Sequence, residues 1–91
     1  MKLAELNRVS VPETVRKKGR SLGLAVYVST RKDKKYMVFD GHRMVHFGQR
    51  GYADYTFHKD KKRRQRFLTR NHKWKNAPKY SAAWLSYYLL W

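Results

Sequence analysis

The 91-residue chain, 42% apolar and carrying seven Tyr, four Phe and three Trp, holds enough hydrophobic material for one domain with one modest core. Lys and Arg number 22 against six Asp and Glu, a formal charge of +16. That exceeds the roughly 2–8 that serves solubility in a small domain, so a polyanionic partner is expected. The absence of Cys excludes disulfide staples and thiolate metal sites.

Residues 1–20 carry scattered apolar side chains (Leu3, Leu6, Val9, Val11, Val15) and end in the basic run Arg16, Lys17, Lys18 and Arg20. Pro12 interrupts any long helix there. The segment reads as an extended basic arm, either lying along a partner, adding an edge strand, or hanging as a disordered tail in the isolated chain. Residues 21–91 form a single α+β domain.

Leu22, Leu24, Val26 and Val28 alternate with smaller or polar residues at the period of a strand. Arg31 to Lys34 follow as a polar loop in which Asp33 is the turn former. Lys35 to Asp40 predicts a second strand, with Tyr36 and Val38 on one face and Met37 and Phe39 on the other. Asp40-Gly41 is a hairpin signal, because glycine accepts the positive φ of a tight turn. Arg43 to Phe47 completes a three-stranded antiparallel meander.

Gly48 to Tyr55 is a loop. Thr56 is placed to cap a helix running to about His72, and Ser81 to cap a second one reaching the C-terminus. In the last helix Tyr80, Trp84, Tyr87, Tyr88 and Trp91, with Ala83, form one stripe, which predicts a protein interface or a face packed on the sheet.

Between positions 59 and 75 stand nine Lys or Arg and one acid, Asp60. On a helix Lys59, Arg63, Arg66 and Arg70 fall on one face, and Lys62 and Lys73 extend the basic surface. Guanidinium groups in a row suit phosphate oxygens. The bland alternative is a solvated face balanced by acids, and those acids are scarce. Together with Arg16, Lys17, Lys18 and Arg20, these residues are the expected polyanion contacts. No zinc-finger spacing, basic-region zipper or aromatic ribonucleoprotein motif points to base-specific reading. Tyr52 and Trp74 are candidates for stacking on single-stranded bases, although core packing is the commoner fate of such rings.

His42 and His46 fall on one face of a strand, and His58 lies near Asp54. Convergence of His46, Asp54 and His58 would make a metal or acid–base site. So few acids favour structural histidines, and no catalytic residue, metal or cofactor is assigned.

The segment His46-Phe47-Gly48, Gly51-Tyr52, Asp54-Tyr55-Thr56, His58-Lys59-Asp60, with Arg63, Arg66, Arg70, Ser81, Trp84 and Leu89-Leu90-Trp91, resembles a family of small basic proteins of large nucleocytoplasmic DNA viruses and some phages. The resemblance covers roughly residues 35–91 and implies a viral setting, where such proteins are often virion components.

The leading expectation is therefore a non-enzymatic virion structural protein, a minor capsid or capsid-lining component. Its basic helix would meet acidic neighbours or packaged DNA, and capsid or other virion proteins would be its partners. It would reside in the virion, and in host cytoplasm or nucleus during assembly. Neither a membrane-length apolar run nor a secretory signal is evident, in keeping with a soluble protein. The alternative is a free, sequence-independent nucleic-acid-binding protein acting in genome condensation or transcription. A small metal-dependent nuclease is third.

Overall fold

In the computed structural model, which describes residues 3–91, the expected α+β architecture is present. Strands β1 (Val26–Val28), β2 (Lys34–Phe39) and β3 (Met44–Gln49) form an antiparallel sheet in the order β1-β2-β3. Tyr36 pairs with Phe47 and Val38 with both Val26 and Val45. Tyr36, Val38, Val26 and Phe47 are buried, and Met37 and Phe39 turn to the more exposed face, as alternation requires. The β2–β3 turn is closed by the Asp40 carboxylate, which accepts from the His42 and Arg43 N–H groups.

The N-terminal segment departs from the extended arm. It contains two helices, α1 (Leu3–Leu6) and α2 (Pro12–Ser21). Residues 1 and 2 of the expected arm, and the Leu3 side chain, lie outside the described residues. Pro12 does not break α2 but opens it, at the first turn, where a missing N–H costs nothing. Leu6 and Val15 are fully buried in the same core as Tyr36, Val38 and Phe47. Gly19 permits a close seat on β1, since a Cβ there would lie 2.5 Å from Val26 Cγ2. The strand expected from Leu22 is shortened because α2 runs on to Ser21.

The single helix expected from Thr56 is two. Helix α3 (Tyr55–His58) ends at Lys59, whose φ of 55° is left-handed, and α4 spans Lys61–Arg70. Asp60, not Thr56, supplies the cap of α4, its carboxylate accepting from Lys62 and Arg63 N–H at 3.0 and 3.2 Å. A 3-10 turn (His72–Asn76), helix α5 (Ala82–Leu85) and a π-helical turn (Ser86–Leu90) follow, with Ser81 capping α5 as expected. The enclosed side chains of this segment are Leu85, Leu89 and Leu90; Leu85 and Leu90, five residues apart, share one side as a π turn allows. Tyr80 sits before the helix at φ 66°. Tyr80, Trp84, Tyr87 and Tyr88 form a half-buried chain of ring contacts, and Trp91 stacks on Phe67 at 4.2 Å. Of the expected stripe, Tyr80, Trp84 and Trp91 pack against the core, and all five rings remain partly exposed.

At the junction of these segments lies a buried polar network. Lys35 Nζ donates to Asp54 Oδ2 at 3.1 Å and to the carbonyl oxygens of Tyr52 and Val9 at 2.5 and 3.4 Å. Both side chains of the pair are buried, at 2% and 1% exposure. An ionised carboxylate only accepts, which orients the rest of the network. Thr56 Oγ1 donates to Asp54 Oδ1, Ser10 Oγ donates to Thr56 at 3.2 Å, and the Tyr36 hydroxyl donates to Ser10 at 2.6 Å. Thr56 Oγ1 also accepts from Val11 N–H at 3.0 Å. Burial raises the Tyr36 pKa far above the ordinary tyrosine range, which keeps the hydroxyl a donor. Burial lowers the Lys35 pKa, opposed by the charge and hydrogen bond of Asp54. Gly48, at φ 82°, makes the room: a Cβ there would stand 2.9 Å from Leu90 Cδ1 and 3.2 Å from Lys35 Cβ.

Removing one partner strands a buried charge. Asp54→Ala is expected to cost about 3–5 kcal/mol in urea unfolding, or to prevent folding, whereas the double change Lys35→Met/Asp54→Leu costs less than the two single changes added together. A loss for Asp54→Ala no larger than that for exposed Asp33→Ala would contradict this role.

Candidate functional site

Helix α4 carries Lys61, Lys62, Arg63, Arg64, Arg66 and Arg70, and has no buried residue. Its amphipathic turn is held by Phe67, which stacks on Trp91 and receives Trp74 edge-on at 5.7 Å. On the flank toward α3, Arg64 Nε donates to the Trp91 carbonyl at 2.7 Å while its guanidinium lies 5.2 Å from the Tyr55 ring centre. With the helix so fixed, Arg63, Arg66 and Arg70 line an open cleft of about 550 Å³. Tyr52, Gln49, Asn71 and Trp74 also line it, and Lys35, Asp54 and Gly48 contribute from the network below. Tyr52 is 66% exposed.

Among the described residues the only ion pair within 4.0 Å is Lys35–Asp54. Asp60 is held below the ordinary carboxylate range chiefly by the Arg63 backbone N–H, and Asp40 by the backbone N–H groups of Arg43 and His42. These acids are occupied by main-chain donors, and neither forms an ion pair with a guanidinium on α4, although the charge of Arg66 also acts on Asp60. The row facing the cleft is therefore uncompensated positive charge, which argues against a balanced solvated face.

Not every expected contact joins it. Lys59 falls in the left-handed turn before α4, so it is off the helical row. Lys62 and Lys73 are exposed but do not line the cleft. Arg16, Lys17, Lys18 and Arg20 are carried on α2 rather than on an extended arm. Burial lowers the Lys18 pKa, and repulsion from Arg64 lowers it further. Gln49 and Asn71 had no signal in the sequence. A second basic recess of about 440 Å³, with Arg31, Arg43, His46 and Lys79, also escaped sequence reading because separate segments supply it.

The histidine cluster is not assembled. His46 Nδ1 pairs with Ser29 Oγ at 2.7 Å, Asp54 belongs to Lys35 and Thr56, and His58 Nδ1 accepts from Asp60 N–H at 2.9 Å. Among the described residues no three His, Cys, Asp or Glu stand together as metal ligands. The accepting role of Nδ1 puts the His58 proton on Nε2, which is buried without an acceptor, beside the Trp91 ring.

Burial depresses the pKa of both His46 and His58, with Arg31 and Arg63 adding to the effect. The folded chain thus binds these protons less readily than the unfolded chain, where histidine titrates near 6.5. Their neutral forms leave stability intact above that pH, and it falls as the pH drops through it. The melting temperature is expected to decline between about pH 7 and pH 5. His58→Asn, which retains an acceptor for Asp60 N–H, should make that decline shallower. A slope unchanged by His58→Asn would contradict the assignment.

No curated protein and no solved structure matches the chain. Residues 24–75, which contain the sheet, the Tyr52 loop, α4 and Trp74, match the model described as "Family of unknown function (DUF5754)". That match spans more than half of the sequence, and the chain belongs to this family.

Proposed function

We propose that this protein binds nucleic acid without regard to sequence, through phosphate contacts made by Arg63, Arg66 and Arg70. The observation that carries the reading is the placement of three arginines without acidic partners on one rigid helix, along one cleft. A guanidinium donates a planar fork of N–H groups, and spacing along a helix lets successive forks meet successive phosphates. The formal charge of +16 adds long-range attraction. The helical packing of the N-terminal segment and the half-buried C-terminal aromatics favour a self-contained binder over a protein that grips neighbours with both ends.

A second reading is a virion structural protein, with the same arginines meeting packaged DNA. It draws on the resemblance to small basic viral proteins. It draws also on an exposed apolar row across the sheet, Tyr27, Phe39 and Met44, which suits a protein neighbour.

Anisotropy titration of a random-sequence duplex at several salt concentrations tests the first reading. Affinity should fall steeply with salt and be equal for unrelated sequences. The triple change Arg63→Ala/Arg66→Ala/Arg70→Ala should weaken binding at least about 100-fold and reduce the salt slope by roughly 3. Binding unaltered by the triple change would remove α4 as the contact surface.

A further inference from the structure

We infer that the cleft beside α4 takes single-stranded nucleic acid, with an unstacked base against Tyr52 or Trp74 and the flanking phosphates on Arg63, Arg66 and Arg70. This rests on the nucleic-acid reading above and names the form of the ligand.

A duplex keeps its bases stacked inside and its phosphates outside, so it has no base to place in a ring-lined cleft of nucleotide size. The α4 row instead borders a concavity. At about 550 Å³ the space falls within the ~300–1,000 Å³ typical of small-ligand sites, enough to admit a nucleotide. Its lining is aromatic as well as cationic. Tyr52 is 66% exposed, makes no hydrogen bond through its hydroxyl among the described residues, and is not among the core side chains. A ring so exposed and outside the core buries little area in the fold, yet it offers a π face to a base. Trp74 is braced edge-on by Phe67, which Trp91 backs in turn, so its orientation is set before any ligand arrives. Gln49, exposed on the last residue of β3, adds an amide able to donate and accept without preferring one base. A row of guanidinium groups beside two accessible rings is the arrangement that tracks a single strand: phosphates supply affinity, and rings take whichever base is presented. DNA and RNA share this chemistry.

Fluorescence anisotropy of the full chain with labelled oligo(dT), oligo(rU) and a mixed-sequence duplex of equal length, at one salt concentration, tests the inference. At least one single strand is expected to bind about tenfold or more tighter than the duplex, and the tighter of the two identifies the sugar. Tyr52→Ala and Trp74→Leu should each weaken single-strand binding by about 5- to 100-fold and leave duplex binding within about twofold. Tyr52 is exposed, so its variant is expected to fold, and circular dichroism checks both. Duplex binding equal to or tighter than both single strands would overturn the inference while leaving phosphate binding standing. Equal losses on both ligands would also overturn it. Binding to none of the three would overturn it together with the reading on which it rests.

Discussion

The Lys35 ammonium, enclosed against Asp54, ties three segments of the chain to one point. The Val9 carbonyl comes from the linker between α1 and α2, the Tyr52 carbonyl from the loop after β3, and the carboxylate from the residue that opens α3. A buried ammonium is tolerated only with a carboxylate and further acceptors around it, so each segment is held as strictly as the charge is. The Ser10–Tyr36 and Thr56–Asp54 bonds extend the same demand to β2 and α3. Once the Tyr52 loop and α3 are fixed, the start of α4 follows within a few residues, and with it the direction in which Arg63, Arg66 and Arg70 face.

That arrangement also governs the charge. The chain has six acids, and the structure uses Asp54 inside the core, Asp40 in a hairpin turn and Asp60 as a helix cap. Each solves a local folding problem. None of the three forms an ion pair with an arginine of α4, and Glu5, Glu13 and Asp33 form none either among the described residues. A fold that spends three of its six acids on main-chain and core tasks, while carrying 22 basic residues, leaves a large excess of positive charge on its surface, the property from which the proposed polyanion binding is argued.

Much of this was legible in the sequence, and the exceptions have physical causes. The meander was legible because alternation at Tyr36–Phe39 and the Asp40-Gly41 turn are local signals. The Arg63, Arg66, Arg70 face was legible because its period is that of a helix. Helix α2 was not, because Pro12 reads as a breaker and its placement at the helix start is a matter of two or three residues. Lys59 fits the helical period in sequence because the left-handed turn it makes before α4 leaves no periodic trace. The π turn at Ser86–Leu90 leaves no trace in the helical period, and with it the burial of Leu90 beside Leu89. Least legible was Lys35, a lysine on the outward face of a strand by alternation. Its burial depends on carbonyls 17 and 26 residues away in sequence.

The central claim is that binding is localised in the α4 cleft and is not diffuse attraction to a basic surface. The direct measurement is an NMR titration of labelled protein with a short single-stranded oligonucleotide, following arginine Nε–H and tryptophan indole resonances. Arg63, Arg66, Arg70 and Trp74 are expected to shift together and saturate, while Arg16 and Arg20 on α2 and Arg31 and Arg43 at the second recess stay nearly still. Shifts of similar size across all of these arginines, with Trp74 unmoved, would contradict it.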